Sequence, residues 1–374
     1  MKLQILQENF AKAISQAGHF TSSRAQLPIL GNILLSAKKT KLNISSTNLE
    51  ISFTTSLSAK IEKDGEISVP SKILVDLVNN LPKETLNLEA QKEKLEITTN
   101  SFSTKVLGMD SSDFPKVPKS VDKNKALILE GKDFSEALKK VLFSASSDET
   151  RPILTGVLFA ISDGKLTLVS TDGFRLSRVI LKSKILNPKS SFILPKNILN
   201  EIVKMGNEEI IFEIQEKEKQ VIFAMGDIII SSRLIEGDFP DYEKIIPKGS
   251  TISIEVDKED LLRAVKLAAP FARDNSNIVK LGIGKGELVV SAESSSGGSQ
   301  KTRLDLRIDP TSPEASKGED FEVAFNYKFL EDFLGSVEGE EVRIELTSTD
   351  KAGVFLDLKD ENCLHLIMPV RTQN

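Results

Sequence analysis

The chain has 374 residues, 40% hydrophobic and 28% charged, which is too long for one ordinary core and fits two or three domains. It holds no run of eighteen apolar residues, which argues against a membrane-spanning helix, and its net charge of −5, from 49 basic and 54 acidic residues, argues against coating nucleic acid through bulk positive charge. A basic lining on an acidic body stays compatible with that sum. The start Met1-Lys2-Leu3-Gln4-Ile5 lacks the apolar core of a signal peptide, and Cys363 alone permits neither an intrachain disulfide nor a thiol-based zinc site. A cytoplasmic protein with no membrane partner is expected.

In chain order, the pattern predicts a strand over 3–6, an amphipathic helix over 8–17, and strands over 31–36, 41–47 and 51–61. The same order follows at once: strand 66–69, helix 71–80, and strands 85–90, 94–99 and 101–107. The strands are short and alternate, as Leu42-Asn43-Ile44-Ser45-Ser46 does, which suits half-buried antiparallel sheet. Residues 116–125 are lysine-rich and broken by proline, as a linker is. A helix over 132–146 then shows the apolar stripe Phe134, Ala137, Leu138, Val141 and Leu142. The alternating strand 165–170 leads into Thr171-Asp172-Gly173-Phe174-Arg175-Leu176, which by itself reads as an Asp-Gly turn between strands. Ile198, Leu199, Ile202 and Val203 mark a fourth helix, and Pro247-Lys248-Gly249-Ser250 a second linker. Residues 257–271 repeat the pattern of 132–146, and Ala324-Phe325-Asn326-Tyr327-Lys328-Phe329-Leu330 takes the place of a strand-to-helix junction.

These elements belong to a repeat. Leu27-Pro28-Ile29-Leu30 returns as Arg151-Pro152-Ile153-Leu154, 124 residues on. Val69-Pro70-Ser71-Lys72 returns as Leu194-Pro195-Lys196-Asn197, and Ser112-Asp113-Phe114-Pro115 as Gly237-Asp238-Phe239-Pro240, each 125 residues on. With the weaker third copy, the expected organisation is α+β, in three repeated domains at 1–123, 124–249 and 250–374. Each would pack two helices on antiparallel sheets.

Opposite the apolar stripes lie Lys12, Lys72, Lys139, Lys140, Lys196, Lys204, Arg263, Lys266 and Lys328. Acidic residues concentrate in strands and turns, yet Asp76, Glu136, Glu201, Glu331 and Asp332 share those helices. A basic helix face and an ordinary solvated face of mixed charge therefore both remain open. Catalytic constellations are missing. His19 reads as a helix C-terminal residue and His365 as an exposed strand position, while Gly282-Ile283-Gly284-Lys285-Gly286 leads into a strand and reads as a hairpin turn. No catalytic residue, metal or cofactor is expected.

One more set of residues carries a resemblance. Leu27-Pro28-Ile29-Leu30, Thr171 to Leu176, Gly237-Asp238-Phe239-Pro240-Asp241-Tyr242 and the final Leu366-Ile367-Met368-Pro369-Val370-Arg371 occur in order over the threefold repeat. Together they resemble the bacterial DNA polymerase III β subunits, the sliding clamps, from Met1 to Arg371. No single motif is decisive, but the ordered set is specific. The resemblance implies the DNA clamp fold, a homodimeric ring of two head-to-tail subunits around duplex DNA, with helices lining the hole and sheets outside. It implies a non-catalytic processivity subunit that binds without sequence specificity. Its partners would be the replicative DNA polymerase catalytic subunit, the clamp loader complex, and other DNA polymerases and repair proteins carrying clamp-binding motifs.

By position the resemblance assigns DNA contact to Arg24, Lys72, Arg151 and Lys196. It assigns a peptide-binding groove between the second and third domains to Leu154, Thr171, Gly173, Phe174, Arg175, Leu176, Pro240, Lys244, Ile245, Leu366, Met368, Pro369, Val370 and Arg371. There the apolar side chains would form a slot for leucine and phenylalanine anchors, Gly173 would let a backbone approach, and Arg175 and Arg371 would bind polar groups or close the rim. Phe174 stands where other members have a polar or aromatic ring. Residues 347–356 have no clean match, which makes Ala352 or Gly353 candidates for the wall, and Phe271, after its helix, is a candidate for the subunit contact. Two other readings remain: a repeat-built peptide-binding adaptor that does not encircle DNA, and an enzyme whose site draws on residues far apart in sequence. Basic inner helices and ring closure separate the clamp from the adaptor.

Overall fold

The structure, a computed structural model, describes residues 1–22, 27–123, 126–182, 190–206, 209–284, 286–308 and 321–371. The first run is β1 (Lys2–Leu6), α1 (Gln7–Gly18), β2 (Asn32–Lys38), β3 (Lys41–Thr47), β4 (Ile51–Ser58) and β5 (Lys60–Lys63). It continues with β6 (Gly65–Pro70), α2 (Ser71–Asn79), β7 (Thr85–Gln91), β8 (Lys94–Thr98) and β9 (Ser103–Leu107). The second run is β10 (Leu127–Leu129), α3 (Gly131–Leu142), β11 (Gly156–Ser162), β12 (Lys165–Thr171), β13 (Arg175–Lys182) and β14 (Ser190–Pro195). After it come α4 (Lys196–Met205), β15 (Ile210–Gln215), β16 (Gln220–Met225) and β17 (Ile228–Arg233). The third is β18 (Ile252–Asp257), α5 (Lys258–Ala272), β19 (Ile278–Gly284), β20 (Glu287–Ser294), β21 (Gly298–Asp305) and β22 (Arg307–Ile308). It ends with β23 (Phe321–Asn326), α6 (Tyr327–Ser336), β24 (Glu341–Leu346), β25 (Gly353–Asp357) and β26 (Cys363–Ile367).

The strands form four antiparallel sheets. Two are local: β5-β1-β7-β8-β9 and β21-β20-β19-β23. Two are spliced from neighbouring repeats: β10-β15-β16-β17-β4-β3-β2-β6, and β14-β11-β12-β13-β26-β25-β24-β18-β22. The splices are the pairs β17–β4 and β13–β26. They divide the middle repeat, so the chain forms two compact units, Met1–Gly131 with Asn207–Leu234 and Lys132–Gly206 with Ile235–Asn374.

Each helix buries one stripe at three- and four-residue spacing, as Phe10, Ala13, Ile14 and Ala17 do on α1. Asp257 caps α5 through the Asp260 N–H, and Asn326 caps α6 through the Lys328 N–H, at 2.9 and 3.0 Å. The repeat extends to single hydrogen bonds. The Ser46 hydroxyl donates to the Ala17 carbonyl at the end of α1, and the Ser170 hydroxyl to the Val141 carbonyl at the end of α3, both partners 124 residues further on.

Two predicted elements change. The strand expected over 51–61 divides at Ala59, because Ile51–Ser58 pairs with β3 and β17 while Lys60–Lys63 turns to β1 in another sheet. The helix expected over 132–146 stops at Leu142, where the Ser144 and Ala145 N–H groups close onto Val141 and Leu142 and Ser146 bonds to the Leu154 carbonyl.

Candidate functional site

Several residues assigned to a groove by the resemblance lie at the β13–β26 splice, where Arg175 pairs with Ile367 and Leu176 with Leu366. The turn before β13 is built by its own side chains. Asp172 Oδ1 accepts from the Phe174 and Arg175 N–H groups at 2.9 and 3.0 Å; Thr171 Oγ1 donates to the Arg175 carbonyl at 2.6 Å and accepts from Gly173 N–H at 3.1 Å. Gly173 sits at φ +93°, where a side chain would be strained. This turn leaves Phe174 61% exposed, and its carbonyl accepts from the Met368 N–H at 2.8 Å. Beneath lies an apolar floor of Leu158, Val169, Leu176, Ile193, Leu364 and Leu366, closed by Ala352 and Val354. Phe239, Tyr242 and Ile246, between β17 and β18, pack on that floor. The turn Tyr242–Ile245 leaves Lys244 and Ile245 exposed, as Pro240 and Met368 are, while Leu154 is half-buried. Val370 N–H bonds to the Ala324 carbonyl at 2.8 Å, and half-buried Pro369 and exposed Arg371 flank it.

Arg175 points away from the open rim. Its Nε reaches Asp172 at 3.0 Å, one terminal nitrogen Asp332 at 2.5 Å and the other the Phe143 carbonyl at 2.6 Å. Its guanidinium lies 4.4 Å above the Phe329 ring centre. This planar fork ties the turn to α6 and to the end of α3. Ala352 belongs to the floor, whereas Gly353 pairs with Ile367 inside the sheet.

His365 corrects an expectation. It is 1% exposed and stacks on Phe333 with ring centres 5.5 Å apart. Its Nδ1 shares a hydrogen bond with Ser177 Oγ at 2.7 Å, and Ser177 in turn bonds Ser144 Oγ at 2.7 Å. Burial, helped by the Arg175 charge, lowers its pKa to about 3 and keeps the ring neutral. Strand alternation suggested an outward position, but all five residues of β26 are buried. His19, by contrast, caps the C-terminus of α1, as expected.

The helix cations divide. Lys12, Lys72, Lys139, Lys204, Arg263, Lys266 and Lys328 are exposed, with Lys204 bridged to Glu201 and Arg263 to Asp260. Lys140 is buried, contrary to its expected place on an outer face, with Nζ 2.9 Å from Asp360 and 3.2 Å from Glu338. Burial alone would lower its pKa, but the two carboxylates outweigh that and raise it. Lys196 is the first residue of α4 and half-buried, its Nζ on the Ala145 carbonyl at 3.2 Å; burial lowers its pKa, and the charge of Arg175 adds to that. Lys72 is the second residue of α2, and Arg151 is exposed with Nε 3.1 Å from Asp148. Arg24 lies outside the described residues. Phe271 lies in the last turn of α5, not after it, and packs against the core of the third repeat.

Gly284 pairs with Glu287, so the glycine-rich segment is a hairpin, with Lys285 outside the described residues. Among the described residues, no group of three or more His, Cys, Asp or Glu side chains is placed to hold a metal ion. No helix among them is long and apolar enough to cross a membrane.

Three family models match consecutive stretches of the chain. They describe the N-terminal domain of the DNA polymerase III beta subunit at residues 1–118, its central domain at 128–241 and its C-terminal domain at 243–371. The chain belongs to the DNA polymerase III beta subunit family. The beta sliding clamp of Synechococcus elongatus is 28% identical over 385 residues, and that of Staphylococcus aureus 27% over 383, each alignment covering 100% of both chains. Among solved structures, the DNA polymerase sliding clamp from Bacillus subtilis superposes with a TM-score of 0.92 at 25% identity. A sliding clamp from Bartonella birtlesii bound to griselimycin does so at 0.92 and 26%; both cover 100% of each chain. This beta subunit therefore has the DNA clamp fold and is a DNA sliding clamp, a non-catalytic subunit in DNA replication. Sequence alternation placed Val169 on a strand without marking it as floor, and did not single out Ile193, Val354 or Leu364. Recognising them required knowing that β13 and β26 are neighbours.

Proposed function

We propose that two copies of this chain close head to tail into a ring around duplex DNA, in the cytoplasm. The groove over the β13–β26 splice would then hold short peptide motifs of the replicative polymerase, the clamp loader, and other polymerases and repair proteins. In this reading the chain acts as three domains, 1–123, 124–249 and 250–374. Arg24, Lys72, Arg151 and Lys196 would meet the DNA backbone, often through water. The observation that carries the peptide reading is the groove's chemistry: an apolar rim of Phe174, Ile245 and Met368 left exposed above an apolar floor. Exposed aromatic and methionine side chains beside a buried apolar cluster suit leucine and phenylalanine anchors and tolerate several partners.

Charge supports a topological hold. A chain of net charge −5 gains little from bulk phosphate neutralisation. A closed ring needs few such contacts and is free to slide. After loading onto nicked circular DNA, the clamp is expected to stay bound through gel filtration and to escape once the circle is cut. Equal loss from circular and linear DNA would exclude encirclement and favour a peptide-binding adaptor.

A further inference from the structure

The β17–β4 splice repeats the groove's backbone bond for bond. At β13–β26, Thr171 and Asp172 build the turn, and Met368 N–H bonds the Phe174 carbonyl. At β17–β4, Thr47 Oγ1 donates to the Ile51 carbonyl at 2.8 Å and accepts from Leu49 N–H at 3.0 Å. Asn48 Oδ1 accepts from Glu50 and Ile51 N–H at 3.0 and 2.8 Å. Leu49 takes φ +76° where Gly173 takes +93°, and Arg233 N–H bonds the Glu50 carbonyl at 2.9 Å as Met368 bonds Phe174. Ser52 pairs with Ser231 in the register that joins Leu176 to Leu366. Two junctions share one backbone.

Their outward side chains differ in kind. Across the 124- and 125-residue offsets, Val169, Leu176 and Ile193 correspond to Ser45, Ser52 and Ser68, and by strand register Leu366, paired with Leu176, corresponds to Ser231, paired with Ser52. The serines are buried, and their hydroxyls are satisfied locally. Ser45 bonds Thr54 at 3.1 Å, Ser52 bonds Ser231 at 2.6 Å, and Ser68 bonds the Met109 carbonyl at 3.1 Å. At the rim, Phe174, Ile245 and Met368 correspond to Glu50, Ser120 and Arg233, all exposed. Leu30 is buried with Ile29 against Phe114, while its counterpart Leu154 is half-buried.

We infer that these outward side chains, and not the backbone, restrict capture of apolar peptide anchors to the β13–β26 junction and close the β17–β4 junction to them. This rests on the groove reading above. An apolar anchor seated on the serine floor would gain little apolar contact. A polar anchor would have to break hydroxyl pairs that already satisfy each other. Hydroxyl pairing and a charged rim make the first junction a sealed copy of the groove.

Calorimetric titration of the full-length clamp with a ten-residue peptide carrying adjacent leucine and phenylalanine tests the inference. One peptide per chain is expected. Exchanging the rim for its counterpart, Phe174→Glu, Ile245→Ser and Met368→Arg, should weaken binding about tenfold or more with the melting temperature held, since these side chains are exposed. The reciprocal variant, Glu50→Phe, Ser52→Leu, Ser231→Leu and Arg233→Met, should take up a second peptide. Two peptides per wild-type chain, or full affinity after the rim exchange, would overturn the inference. These two measurements decide it even where the reciprocal variant does not fold. A wild-type clamp that binds no such peptide would instead remove the groove reading itself.

Discussion

Burial decides the chemistry of the two side chains in β26 that look reactive on paper. Desolvation pushes the Cys363 thiol up to about 12, so it stays protonated and packs as a small apolar group. His365 is held neutral with its pKa near 3, well below the ordinary value of 6.5. The folded chain thus refuses a proton that the unfolded chain accepts. Its contribution to stability is complete above pH 6.5 and is lost as pH falls from there toward 3, at up to about 1.4 kcal/mol per pH unit. Melting of the wild type should therefore fall more steeply between pH 7 and 5 than melting of His365→Gln, which lacks the titrating ring. Parallel curves would show that His365 plays no part in acid sensitivity. Arg175 follows the same logic of environment over identity: the resemblance offers it to a peptide, but its fork is engaged with Asp172, Asp332 and the Phe143 carbonyl.

Between elements, Lys140 joins α3 to the turn before β26 through Asp360 and to the turn before β24 through Glu338. Lys140→Met keeps the stem and deletes the charge, leaving two carboxylates close together. Because Glu338 is half exposed and Asp360 partly so, solvent screens much of the penalty, and a loss of about 1–3 kcal/mol is expected in urea unfolding. An unchanged midpoint would mean that the triad holds nothing. Lys140 also shows where sequence reading stops. A helical wheel sets it opposite the apolar stripe, and only the arrival of segments 338–341 and 357–361 over that face buries it. The helices themselves were legible because their stripes are local. The division at Ala59 was not, since alternation runs on through Ile61 while the pairing partner changes sheet. For the groove, the resemblance named the rim, while the turn chemistry at Thr171 to Arg175 showed by itself only an Asp-Gly turn. The floor depends on strands nearly 190 residues apart, a distance that periodicity does not span.

At the scale of the whole molecule, ring closure requires two surfaces of one chain to fit each other, and sheet edges are the natural candidates. The sheet of the first repeat ends in β5 and β9, and that of the third in β21 and β23. β5 is a four-residue strand, and β23 receives a hydrogen bond from the Val370 N–H, which covers part of its edge. Among the described residues, that leaves β9 and the eight-residue β21 as the open edges of these two sheets. A long open edge is an aggregation hazard for a monomer and a docking strip for a dimer. Leu107, 66% exposed at the end of β9, fits the second role. Pairing β9 of one subunit with β21 of its partner would extend both sheets and satisfy head-to-tail closure. Leu107→Asp should shift the light-scattering mass at micromolar concentration from two chains toward one and abolish retention on circular DNA. Capture of the leucine-phenylalanine peptide should persist, because no groove residue lies on β9. A dimer that survives both Leu107→Asp and Arg303→Pro in β21 would place the subunit contact elsewhere.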